Sequence, residues 1–255
     1  MRIEFYKALW GMEGTVEEQL AKIAQAGYDG YEAPIPGRAP SDSNGLGYVA
    51  MLFVSEIEEL ERGLERAAAA GAELVNVHSG RDWWDHDQGS RFFEKALEVQ
   101  SAVDIPVCHE THRGRLLFSP AATSLYLSRF PELKLTADFS HWTCVCESLL
   151  EDQQASLQAA IEATWHLHAR VGHEEGPQVP DPRAEQWTRY LSVFEGWWDR
   201  VVASCRERKL EVLRVDPEFG PPHYMQTDPG SGRPVVDLWE VCWFVADRLR
   251  RRWQA

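Results

Sequence analysis

The chain has 255 residues, 44% of them hydrophobic, with a formal net charge of −14. That length holds one large core, and no Gly/Ser linker, low-complexity tract or long charge run divides it. So acidic a surface repels phosphate backbones and anionic lipids, which argues against a nucleic-acid or membrane-surface binder.

Short β-prone runs alternate with amphipathic helical patterns along the chain, the signature of parallel strands joined by helical crossovers. The first run, "RIEFYKA" (2–8), precedes a capping box of Thr15 and Glu18, which opens a helix carrying Val16, Leu20 and Ile23 and closed by Gly27. The second is "GYEAPI" (30–35). The segment after it, "PGRAPSDSNGLG", is too short and too rich in Gly, Pro and Ser for a full helix, so that helix is expected to be short or missing. "YVAMLFV" (48–54) is the third run, and Ser55 with Glu58 reads as a second capping box before Ile57, Leu60 and Leu64. "AELVNVHSG" (72–80) and "DIPVCHE" (104–110) follow, and Ser119 before Pro120 marks a helix start. The sixth run is "LKLTADFS" (133–140) and the seventh "TWHLHARV" (164–171). Trp187, Tyr190, Leu191, Phe194, Trp197, Trp198 and Val201 then form the stripe of a long helix. "LEVLRVDPEF" (210–219) and a helix with Leu238, Val241, Val245 and Leu249 end the series.

Eight strand-helix units in roughly 250 residues is the arithmetic of an α/β (β/α)8 TIM barrel, expected here as one domain over residues 1–255. An open doubly wound sheet is the rival, but no G-x-G-x-x-G follows the first strand.

In such a barrel the chemistry stands at the C-terminal strand ends. Those ends offer His78, Glu110 and His112, Asp138 and His141, His166 and His168, and Asp216 and Glu218. Four consecutive strands each bring a carboxylate or imidazole to one mouth. Buried charges gathered like that repel unless a cation sits among them, which points to a divalent metal. An oxygen-rich donor set favours Mn²⁺, Mg²⁺ or Co²⁺, and affinity alone does not exclude Zn²⁺.

The segments "HETHRGR", "ADFSHW", "HLHARVG" and "VDPEFGPP" resemble the xylose isomerase-like TIM barrels, the superfamily of sugar (phosphate) isomerases and epimerases that includes the AP endonuclease family 2 enzymes. The resemblance implies one divalent metal held by Glu110, Asp138, His168 and Glu218, and a D-x-x-H pair in Asp138 and His141. It implies a sugar or sugar-derivative isomerase or epimerase that abstracts a proton through a metal-stabilised enediolate, with Glu110 and Glu218 as the acid/base pair. His141 would hold a substrate oxygen, and Arg170 would grip an anionic or hydroxyl group. His78, His112, Glu32 and Trp142 are further substrate-contact candidates. Trp10, Trp83 and Trp84 join Trp142 as candidate walls of a sugar pocket.

Bland readings stand beside these. The charged set could be an ion-pair network with Arg113, Arg115 and Arg170, and His166 either orients a neighbour or satisfies a backbone group. Cys144 and Cys146, placed at a helix start, read as packing. The loop "GHEEGPQVPDPRAEQW" reads as a rim or partial lid rather than a hinge.

One rival function is an endonuclease IV-like DNA-repair nuclease working through several zinc ions. It needs a D-x-H pair after strand seven, where this chain has Asp181-Pro182-Arg183. The other is an inactive sugar-binding barrel. Five cysteines without framework spacing, no signal-peptide pattern and no membrane-length apolar stretch lead to the expectation of a soluble cytoplasmic protein with a small-molecule substrate and no nucleic-acid or membrane partner. The resemblance also allows a homo-oligomer.

Overall fold

The computed structural model describes residues 1–36 and 43–254. Eight parallel strands close into a barrel in sequence order: β1 (Arg2–Ala8), β2 (Gly30–Pro34), β3 (Gly47–Val54), β4 (Leu74–Ser79), β5 (Val107–Glu110), β6 (Leu135–Ala137), β7 (Thr164–His168) and β8 (Val212–Asp216). The seam is the β1–β8 ladder, running from Arg2 opposite Val212 to Phe5 opposite Val215. Outside lie α1 (Val16–Gln25), α2 (Ile57–Ala69), α3 (His86–Gln100), α4 (Pro120–Arg129), α5 (Phe139–Cys146), α6 (Gln154–Ala163), α7 (Thr188–Glu207) and α8 (Leu238–Trp253). A 3₁₀ turn at Glu185–Trp187 leads into α7.

Two cores follow from strand alternation. Tyr6, Val49, Leu74 and Cys108 pack together although they come from β1, β3, β4 and β5, and such residues meet only inside the barrel. The other faces supply Phe5, Val75 and Leu213, which pack with Leu20, Phe194 and Val245 of the helices. Since Leu74 and Cys108 point inward, Asn76, His78 and Glu110 do too, two and four residues further along the same strands. The interior therefore turns from apolar to polar toward the C-terminal strand ends.

Local signals account for the helix starts. Thr15 and Glu18 form the expected capping box, with Glu18 N to Thr15 Oγ1 at 3.3 Å and Thr15 N to Glu18 Oε2 at 2.8 Å. Ser119 Oγ accepts from Ala122 N ahead of Pro120. The second box is shifted from its expected place. Glu56, not Ser55, is the N-cap of α2, and Glu59 rather than Glu58 reaches back, accepting from the amides of Ser55 and Glu56.

The sixth strand is shorter than expected. It stops at Ala137, and Asp138 becomes the N-cap of α5, accepting from Ser140 N at 3.0 Å. His141 thus sits on a helix, and Cys144 and Cys146 lie at that helix's end rather than its start. The expectation for the segment after β2 falls partly on residues 37–42, outside the described residues; residues 35–36 and 43–46 on either side contain no helix. No helix among the described residues is long and apolar enough to cross a membrane.

Candidate metal centre and active site

Parallel register brings the strand ends to one level: Glu110 pairs with Thr136 and His168 with Asp216. Glu110 closes β5, Asp138 follows β6, His168 closes β7, and Glu218 stands two residues beyond β8. All four are buried. Asp138, His168 and Glu218 each present a donor atom within 4.8 Å of the others, and Glu110, Asp138 and His141 do the same. His168 Nδ1 lies 3.3 Å from Glu218 Oε2 and 3.8 Å from Glu110 Oε2. Donor atoms sharing one cation at about 2.1 Å stand roughly 3–4 Å apart, so this spacing suits a bound ion.

The chemistry of the donors agrees. Glu110 Oε1 is buried with no hydrogen-bond partner among the described residues, and His168 Nδ1 faces only the Glu218 and Glu110 carboxylates. Five carboxylates are buried here (Glu32, Glu110, Asp138, Asp216 and Glu218), against the permanent cations Arg170 and Lys7. So many carboxylates gathered in a region shielded from water either take up protons or are balanced by further positive charge. Three hard oxygens and one imidazole fit a divalent cation. The remaining triads, His78–Glu110–His112 and Glu32–His166–His168, hold more nitrogen, and the second is saturated by its own hydrogen bonds.

Glu32 explains that saturation. Its Oε2 stands 3.0 Å from His168 Nε2 and 2.9 Å from His166 Nε2, while its Oε1 accepts from the Asn76 amide at 2.9 Å. A carboxylate on one imidazole nitrogen fixes the ring and leaves the other nitrogen's lone pair for a metal. Glu32 is therefore a support for His168, and it also borders the cavity where a substrate contact was expected of it. His166 combines its two expected roles, meeting Glu32 on one side and the Arg214 carbonyl, 3.0 Å from Nδ1, on the other. Asn76 also donates to Glu110 Oε2 at 2.7 Å, so one amide ties both carboxylates.

Burial pushes the Glu110 carboxyl up to about 8, with His168 opposing and Glu218 and Asp138 adding to the rise. Burial pushes Glu218 up as well, but His168 and Arg170 outweigh it and hold that carboxyl below its usual range. Burial would lower His168, yet Glu32, Glu218 and Glu110 raise it well above an ordinary imidazole. Asp216 is raised strongly by burial, and neither of its oxygens has a partner among the described residues. Two carboxyls of opposite tendency thus share one site.

Arg170 bonds Asp138 through Nη2, stands 3.4 Å from Glu218 Oε2 through Nη1, and donates from Nε to Ser140 Oγ at 3.1 Å. The ion-pair reading thus holds for Arg170, while Arg113 and Arg115 make no ion pair among the described residues and lie against the rings of Tyr224 and Phe53. His141 accepts from Arg170 at 2.8 Å and is fully buried. Its ring lies 3.9 Å from that of His112, whose imidazole burial and Arg170 push down to about 3.

Above the cluster opens a cavity of about 770 Å³ bordered by Glu32, His78, Glu110, His112, Arg170 and Glu218 of the expected residues. Trp142 is a correction: its ring is fully buried, its Nε1 donates to the Leu117 carbonyl at 3.0 Å, and it does not reach the cavity. Trp83 is exposed and Trp84 packs on Phe92, so of the four tryptophans Trp10 alone borders it.

Sequence reasoning missed Asn76, Phe53 and Tyr224. Asn76 had a usable signal, an amide inside an apolar strand two residues before His78. The loop after β7 is pinned as expected of a rim: buried Gln178 donates to the Gly220 carbonyl at 3.1 Å and accepts from Gly220 N at 2.7 Å, two residues from Glu218.

No protein-family model and no curated protein matches the chain. Solved structures do. A probable 3-DHS dehydratase, AsbF, from Bacillus anthracis is 15% identical at a TM-score of 0.60, covering 86% of this chain and 94% of that one. A sugar phosphate isomerase/epimerase from Parabacteroides distasonis is 14% identical at 0.56, covering 86% and 88%. Endonuclease IV from Thermus thermophilus is 17% identical at 0.54, covering 88% and 94%. At such identities the likeness is one of fold.

Proposed function

Taking the fold of the xylose isomerase-like TIM barrels as premise, we propose that this chain is a divalent-metal-dependent enzyme that abstracts a proton beside a carbonyl, an isomerase or epimerase of a sugar or sugar derivative. The observation that carries the reading is the convergence of Glu110, Asp138, His168 and Glu218, with unpartnered donor atoms, beneath a cavity. These four would hold the ion, with Mn²⁺, Mg²⁺ or Co²⁺ matching the oxygen-rich set. When bound, the ion supplies Lewis acidity toward adjacent carbonyl and hydroxyl oxygens of the substrate.

The chain's own residues do the rest. Glu110 Oε2 accepts from Asn76 and faces His168 Nδ1 at 3.8 Å, where it would also hold the ion, so Oε1 is the oxygen left to take or return a proton. Glu218, two residues past the end of β8 and held ionised by His168 and Arg170, serves as the base on the other side. Arg170, bordering the cavity, orients a substrate oxygen and keeps Asp138 in place. A dehydratase begins with the same proton abstraction, and the AsbF likeness keeps that outcome within the class. For the nuclease alternative, the missing D-x-H histidine weighs against it: Arg183 spends its guanidinium on Asp181.

The test is metal analysis of the purified protein, followed by proton-to-deuterium exchange from solvent into ketoses and keto-inositols. One ion per chain and measurable exchange are expected, with Glu218→Gln and Glu110→Gln each lowering exchange about 10²–10⁴-fold. Three ions per chain would favour the nuclease, and undiminished exchange in either variant removes that glutamate from its role.

A further inference from the structure

We infer that the substrate of this site is amphiphilic: a small molecule whose α-hydroxycarbonyl head reaches the carboxylate cluster while an aryl or cyclic hydrocarbon body lies across the ends of β1, β2 and β3. The inference rests on the proton-abstraction reading, keeps the α-hydroxycarbonyl unit of a sugar derivative and gives the rest of the substrate an apolar body.

The cavity is divided by chemistry. Its cluster end carries His78, Glu110, His112, Arg170 and Glu218, whereas the side toward α1 is built from Trp10, Val16, Ile35, Met51 and Phe53. Phe53 is 56% exposed, Val16 41% and Trp10 39%. Large apolar groups left in water singly are ordinary, but these face one hollow beside a reactive centre, where a ligand would cover them.

The aromatic members are braced in place. Phe53 stacks on His78 with ring centroids 4.3 Å apart and planes 15° from parallel, and the Arg115 guanidinium lies 5.4 Å from its centroid. Tyr224 meets Trp10 edge-on at 5.0 Å and has Arg170 at 4.9 Å from its ring. Such a wall is organised before any ligand arrives.

A sugar with a hydroxyl on every carbon would find few partners along it. Gln19 spends its amide nitrogen on the Met12 and Gly14 carbonyls, and Glu32 has both oxygens occupied. Tyr224 is engaged with Arg113. Among the described side chains bordering this side, the Tyr31 hydroxyl, the Trp10 Nε1–H and the Gln19 amide oxygen remain, too few and too scattered for a hydroxyl on every carbon. Each substrate hydroxyl desolvated there without a partner would weaken binding about tenfold or more, while a ring face gains by covering the same surface.

The experiment uses the Mn²⁺-loaded protein and three probes: 2-hydroxyacetophenone, dihydroxyacetone and D-fructose. Calorimetry reads binding, and deuterium incorporation from D₂O reads proton abstraction. The aryl ketone is expected to bind at least about tenfold tighter than either other probe, and Phe53→Asn and Val16→Asn each to lower its affinity about tenfold, circular dichroism confirming both folds. D-fructose binding as tightly as the aryl ketone, aryl affinity untouched by both variants, or no binding of any probe overturns the inference. Tight, Phe53-dependent aryl binding without deuterium uptake upholds it and overturns the proton-abstraction reading instead. Deuterium uptake into D-fructose with no aryl preference does the reverse.

Discussion

Glu32 touches three buried side chains and has no oxygen to spare, so its value lies in what it does to His168. Replacing it by glutamine puts an amide donor where an imidazole N–H now finds an acceptor, and the His168 ring loses its fixed orientation. Glu32→Gln is therefore expected to keep the far-UV circular dichroism and lower metal affinity about 10- to 100-fold, read by competition with a chelator. Unchanged affinity would mean that His168 is held by other contacts. This role was not legible beforehand, because the partners Asn76, His166 and His168 lie 44, 134 and 136 residues away. Glu110, His168 and Glu218 were legible, since a carboxylate or imidazole at the tip of an apolar strand announces itself wherever its neighbours come from.

Strands announced themselves more faithfully than their ends. β1 spans the run read from the sequence, while β6 lost its last residues because Asp138 caps α5, and the alternation of polar and apolar residues in "LTADFS" does not show where the backbone turns from strand to helix. The displaced capping box has a similar origin: Ser55, Glu56, Glu58 and Glu59 offer two staggered pairs, and spacing alone does not choose between them. Pairing between helices was invisible for a different reason, since it joins distant exposed residues. Asp199 on α7 accepts from Arg252 Nε and Trp253 Nε1 of α8, both at 2.8 Å. Burial would raise the Asp199 carboxyl, but these bonds hold it below its usual range. A depressed folded-state value means that the contribution is present above the unfolded value of about 3.9 and is lost as pH falls through the folded one. Asp199→Asn is thus expected to cost about 0.5–1 kcal/mol at pH 6, discounted for partial exposure, and less at pH 3. Urea titrations at the two pH values check it, and an equal cost at both would mean that charge is not involved.

At the scale of the whole molecule, the first and last strands close the barrel against each other, and Phe5 of β1 stacks on Trp253 of α8 at 6.4 Å. Among the described residues every strand of the barrel is paired on both sides, so half of it cannot separate without breaking two ladders. Tryptophan fluorescence and far-UV circular dichroism are accordingly expected to give one urea transition with a common midpoint; two separated midpoints would reveal independent units. The barrel was legible because eight alternations leave few closed arrangements. The cavity was not, since Phe53 and Tyr224 look like any other aromatic residues until strand ends and loops bring them together.

Closure has a practical side as well. Gln254 Nε2 donates to the Ile3 carbonyl at 2.8 Å, at the foot of β1, while Ala8 at its other end borders the cavity. Anything grafted beside those two residues, whether a purification handle, a resin or a fused neighbour, would hang from the base of the cylinder and leave its entrance clear.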